Sequence, residues 1–243
     1  MTATNIAILK NFLLQNLEAM NFDGGLGSDF DLPKYDLYAQ DYLEFADLEM
    51  QKYLQDSGDP GKTGHLINCV AHLRRAIDCQ LDAFLHAINV QQYFKKRKLG
   101  FPSKLEFIRT VGVFNARSLN RLNSLRNKME HDFEAPIIQD IDIYYDLSAA
   151  FVAILQRTLS MSKFMDLDFV IDNGNTRNHF SIEYIFETPA IKAGWKTENE
   201  TIELVVGLNN FQEFTFFLKS LFLLIQKDSF TSNRYILSQL EKE

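Results

Sequence analysis

The hydropathy pattern of this 243-residue chain predicts a mainly α protein, an antiparallel helical bundle with a small C-terminal α+β unit. Two observations carry that prediction. Up to about residue 165, apolar residues recur three and four apart, the spacing of helices with one buried face. After residue 166 the pattern shifts to short β-branched and aromatic runs between turn-forming residues, as in strands. Three regions follow: an N-terminal helix and linker over 1–36, the bundle over 37–165, and the α+β unit over 166–243. With 46% hydrophobic and 23% charged residues, the chain supports a sizeable core and does not have the composition of a disordered protein.

The first helix is expected from Asn5 to Met20, stopping at the turn-rich NFDGGLGSDFDLP. Its sequence, NIAILKNFLLQNLEAM, carries an acid and amides at helical spacing and no small-residue cleavage site, so it reads as a helix and not as a signal peptide. A second helix is expected over about Leu37 to Leu54, with Tyr38, Tyr42, Phe45, Leu48 and Tyr53 on its apolar stripe. DSGDPGKTG is expected to be an exposed loop. Its Gly-Lys-Thr lacks the earlier glycine of a Walker A loop, because Asp56 stands there.

A long third helix carries Leu66, Val70, Leu73, Ile77, Leu81, Phe84, Leu85 and Ile88 and ends near the KKRK run. Pro102 and the box Ser103-Lys104-Leu105-Glu106 mark another start. After a break over 112–115, the next helix runs to about Phe133, and Pro136 prevents its continuation. The last helix of the bundle covers about Ile138 to Lys163, and antiparallel packing of such helices makes the bundle. Then LDFVID and HFSIEYIF flank the turn NGNTRN, TIELVVG is a third strand, and FQEFTFFLKSLFLLIQ is a buried helix.

Cys69 and Cys79 fall on one helix, about 15 Å apart at 1.5 Å per residue. That is beyond disulfide reach, so a reducing cytoplasm is the expected location. The apolar runs are too short or too interrupted to cross a bilayer, so no membrane association is expected.

Net charge is −7, yet its distribution is uneven. From Lys95 to Lys128 there are ten bases (Lys95, Lys96, Arg97, Lys98, Lys104, Arg109, Arg117, Arg121, Arg126, Lys128) against one acid, Glu106. The segment therefore carries +9 and the rest of the chain −16. Such an asymmetry can draw a polyanion to one surface. The alternative is a set of solvated helix faces paired with acids elsewhere in the fold.

The basic segment leads into LRNKMEHDF, residues 125–133. An arginine can stabilise charge that grows on a phosphate, a histidine can move a proton at neutral pH, and an amide can orient either group or a ribose hydroxyl. At about 100° per residue, Leu122, Leu125, Met129 and Phe133 form an apolar stripe with Arg126 at its margin. Asn127 and His131 share the opposite face, while Arg126 lies roughly 140° from His131 on a regular helix. A groove shared by two copies of the helix eases that mismatch, which points to a homodimer. The structural alternative pairs Arg126 with Glu130 and leaves His131 to cap the helix C-terminus.

Other signals are weaker. His65, His72, Cys79 and His86 repeat every seven residues, about 10 Å apart along a helix, too far for one metal. Asp41, Glu44, Asp47 and Glu49 do not share a face, and no Glu-x-x-His accompanies them. No metal site or other cofactor is expected.

RNKMEH matches the R-x4-6-H signature of the HEPN superfamily, with Asn127 as the polar residue after the arginine. LNSLRNKMEHDFEAP resembles that family's third helix and its exit, and HLINCVAHLRRAIDCQLDAFLHAI is similar to its first core helix. The resemblance covers residues 37–165. It implies a bundle that dimerises to form an RNA cleft, often a metal-independent endoribonuclease acting as a toxin or antiphage-defence effector.

In that chemistry a ribose 2′-hydroxyl attacks the adjacent phosphate and leaves a 2′,3′-cyclic phosphate. By resemblance Arg126 stabilises the phosphorane-like charge, His131 transfers protons and Asn127 orients one of them or the ribose. Lys95, Lys96, Arg97, Lys98, Arg121 and Lys128 are the expected RNA contacts. An antitoxin or regulatory protein is a possible further partner. Many HEPN domains are non-catalytic, so the alternative is a module that binds a protein partner or RNA through the same surface.

Overall fold

A computed structural model describes residues 4–24, 32–56, 58–115, 117–135, 141–161, 165–172, 177–196 and 200–242. The elements, in order, are α1 (Asn5–Asn16), β1 (Met20–Gly24), α2 (Ala39–Gln55), α3 (Asp59–Ala87), α4 (Gln91–Lys96), α5 (Phe101–Thr110), α6 (Arg117–Asn127), which continues as a π-helical turn (Lys128–Asp132), and α7 (Ile141–Met161). Then come β2 (Asp166–Asp172), β3 (Arg177–Ile185), β4 (Ala190–Lys196), β5 (Thr201–Gly207), α8 (Phe211–Ile225) and α9 (Asn233–Leu240). The chain is thus mainly helical with a small antiparallel sheet.

The long α3 organises the bundle. All eight of its expected core positions are buried, and it packs against α2, α6 and α7. The apolar stripe expected on α2 is displaced. Tyr38 and Leu48 are exposed, and the buried line is Ala39, Leu43 and Ala46, whose two alanines let α2 approach α3 closely. The stretch expected as the loop DSGDPGKTG is helical from Asp59, with Pro60 in the first turn where its missing N–H costs nothing. Gly100, not Ser103, precedes α5, and Pro102 again sits in the first turn.

The sheet has five strands in the order β1-β2-β3-β4-β5, every neighbour antiparallel. Two of its strands were not expected. AIKAGWK is β4, placed between β3 and β5. Residues 20–24, assigned above to a helix end and linker, form β1 and pair with β2, Met20 opposite Ile171. The N-terminal segment therefore belongs structurally with residues 166–243, because α1 also packs on α8 and α9. The NGNTRN turn lies outside the described residues over 173–176, as does the Pro136 stop.

One apolar core runs through both regions. On the sheet, Phe12 of α1 stacks on Phe180 (4.8 Å) and Trp195 (4.1 Å). At the junction, Phe211 of α8 stacks on Tyr93 of α4 at 4.5 Å, and Phe107 of α5 lies against Phe94 at 5.5 Å. Two hydrogen bonds cross the same boundary. The Tyr184 hydroxyl donates to the Ile88 carbonyl (2.6 Å), and Asn89 Nδ2 donates to the Phe186 carbonyl (2.8 Å).

Candidate functional site

The motif sits where the helix changes type. α6 is α-helical through Asn127, and Lys128–Asp132 form the π turn, closed by the Phe133 N–H donating to the Lys128 carbonyl. The π turn bonds residue i to i+5, so residues five apart come one above another. Arg126 and His131 have that spacing, and the looser winding reduces the roughly 140° that a regular helix puts between them.

Three apolar residues hold this segment against the bundle: Leu122 is buried, while Leu125 and Met129 are partly buried against the core. Asn123 Oδ1 accepts from Arg74 Nε of α3 at 3.2 Å. The fourth member of the expected stripe does not join them. Phe133 is left-handed (φ 56°) and 89% exposed, so the backbone reverses there and swings the ring into solvent.

Arg126 is half-buried, and its Nη1 donates to Asn127 Oδ1 at 3.3 Å. Asn127 and His131 are exposed. Among the described residues His131 makes no hydrogen bond or ion pair, which leaves its ring nitrogens open to a ligand. The side chain of Glu130, the alternative partner of Arg126, lies outside the described residues.

The basic segment is dispersed, not continuous. Lys104 bonds Asp82 (2.6 Å) and approaches Asp78 (3.7 Å), Arg109 pairs with Glu106, and Lys128 reaches Glu134 at 3.6 Å. Lys95 donates to Gln91, and the Arg97 guanidinium lies 3.9 Å over the Tyr93 ring. Lys96 and Arg97 line a shallow cleft with Pro189, Leu208 and Asn209 of the sheet region. Lys95, Lys96, Arg97, Lys98, Arg121 and Lys128 are all exposed.

The histidine ladder resolves into separate environments. His65 Nδ1 lies 2.8 Å from Glu49 Oε2, an acid that also takes Asn68 Nδ2 (3.3 Å) and Lys52 Nζ (2.7 Å). Hydrogen bonds from Lys52 and His65 hold the Glu49 carboxyl down at about 2. The periodicity of His65 gave no sign of this partner, because Glu49 comes from the neighbouring helix. His72 is wedged beside Tyr42 and Phe45, and burial, helped by Arg75, lowers its pKa. Cys69 is fully buried in the core, and burial pushes its thiol up to about 12. Among the described residues, no group of three or more His, Cys, Asp or Glu is placed to hold a metal, and no helix is long and apolar enough to cross a membrane.

No family model, curated protein or solved structure matches the chain.

Proposed function

We propose that the protein is a metal-independent endoribonuclease of HEPN type, an intracellular toxin or antiphage-defence effector working as a homodimer. The observation that supports this reading best is the arrangement at the α6 exit. An arginine bonded to its neighbouring amide lies five positions before an exposed histidine that has no partner among the described residues, with a π turn between them. In this reading a ribose 2′-hydroxyl loses its proton and attacks the adjacent phosphorus. The 5′-oxygen leaves with a proton, and a 2′,3′-cyclic phosphate remains. His131 carries out proton transfer, Arg126 stabilises the charge on the phosphoryl oxygens, and Asn127 holds the Arg126 guanidinium. Lys95, Lys96, Arg97, Lys98, Arg121 and Lys128 supply phosphate contacts that carry no base preference.

A second reading, a non-catalytic module that binds RNA or a protein partner, has its own support. The pairing of Lys104, Arg109 and Lys128 with nearby acids weakens the single-sign surface that the sequence suggested. End-labelled RNA incubated with protein in EDTA separates the two. The nuclease cleaves and leaves cyclic-phosphate ends, and His131→Ala lowers the rate by about 10²–10⁴-fold. RNA left intact by wild type, but retained on a filter equally by wild type and His131→Ala, selects the binding module.

A further inference from the structure

A cavity of about 340 Å³ opens between the C-terminal halves of α7 and α8. Its walls are apolar: Val113 from the turn after α5, Met161 from α7, and Phe222 and Ile225 from α8. Small-molecule sites are of this kind, roughly 300–1,000 Å³, mostly apolar, with a few polar groups that fix orientation. The polar groups here are Thr158, Gln226 and Arg157, the last an exposed cation on the α7 side of the cavity. Among the described residues it makes no ion pair or hydrogen bond.

The rim gives a second, independent indication. Phe230 is 77% exposed and Ile154 38% exposed, and both border the cavity. The exposure of Phe230 is not that of a loose loop. The backbone N–H groups of Ser229, Phe230 and Thr231 all donate to the Gln226 carbonyl, at 3.4, 3.0 and 3.2 Å, and the Thr231 hydroxyl donates to it as well. Asp228 takes the left-handed conformation (φ 64°) that this turn requires. The backbone thus holds an aromatic ring in water beside an apolar hollow, so that Phe230, Ile154 and the cavity wall form one contiguous apolar patch.

We propose that this cavity binds a small amphiphilic carboxylate, its apolar body inside and beneath Phe230 and its carboxylate on the Arg157 guanidinium. Among the described lining residues Arg157 is the one charged group, and its sign selects the head group while the walls select the body. The assignment stands apart from the nuclease reading, since none of these residues belongs to the motif.

Calorimetric titration of the full chain with decanoate, decanol and decylamine, each below its micelle concentration, tests it. Decanoate binds saturably at one site, decanol at least tenfold more weakly, and decylamine not measurably. In Arg157→Gln, decanoate affinity falls by roughly 10–100-fold, as expected when a hydrogen bond to a charged group is lost, while decanol is unaffected. Met161→Trp fills the cavity and removes both; should it fail to fold, Phe230→Ala on the exposed rim weakens both instead. Absence of decanoate binding, equal binding of all three probes, or decanoate affinity unchanged in Arg157→Gln overturns the assignment.

Discussion

α6 and α8 are similar in length, yet they use their residues in opposite ways. α8 buries Phe214, Phe216, Phe217, Leu218, Leu221, Phe222, Leu223 and Leu224 between the sheet, α1, α5 and α9. Among its described side chains, α6 buries Leu119 and Leu122, then unwinds into a π turn with its polar residues in solvent. α8 and the sheet it covers hold Phe169, Phe180, Phe214, Phe216 and Phe217, all fully buried. The candidate residues Arg126, Asn127 and His131 lie at the end of α6, where Leu125 and Met129 are only partly buried. Functional segments are commonly drawn from such regions, because a site that must admit a ligand cannot also be packed shut.

The comparison is broken most directly in the core. Phe217→Ala removes a fully buried ring and lowers the unfolding free energy by about 3–5 kcal/mol in a denaturant titration. His131→Ala, on the exposed turn, changes it by less than about 0.5 kcal/mol. Near-equal losses from the two variants would refute the division of labour.

A smaller effect sharpens the boundary between the two regions. Tyr184→Phe deletes the hydroxyl that bonds the Ile88 carbonyl and leaves that buried acceptor without its partner, at about 1–3 kcal/mol. Fluorescence and circular dichroism melts then show whether bundle and sheet still unfold together.

The smallest effect lies in the bundle alone. The Glu49 carboxyl ionises at about 2 in the folded protein against an ordinary 4.5, so its ion pairs contribute stability fully above pH 4.5. That contribution is lost as pH falls from about 4.5 to about 2. Glu49→Gln is accordingly less stable than wild type at neutral pH, and the gap closes through that window in acid-titrated melts.

What the sequence disclosed follows from how local each determinant is. α3 was legible because eight apolar positions repeat over its length with one face always buried. β4 was not, although Ile191, Ala193 and Trp195 alternate with Lys192, Gly194 and Lys196, because its alanines, glycine and lysines carry little strand propensity of their own. β1 was hidden for a stronger reason: MNFDG has turn-forming residues, and only pairing with a distant strand makes it extended. At the candidate site, the residue types at 126, 127 and 131 were readable, but the π turn has no hydropathy signature of its own. Charge could be counted along Lys95–Lys128, whereas the acids that answer Lys104, Asp78 and Asp82, come from a helix earlier in the chain.

The pairing of β1 with β2 also sets an order of events during synthesis. Two adjacent strands of one sheet are separated by the whole helical bundle, so β1 leaves the ribosome with no partner to pair with. At about 5–20 residues per second, its mate Asp166–Asp172 follows on the order of ten seconds later. The bundle, rich in local contacts, has time to form in that interval. Sheet and α8 then close last, and Leu9, Phe12 and Leu13 of the N-terminal helix gain their cover only when the C-terminal elements arrive.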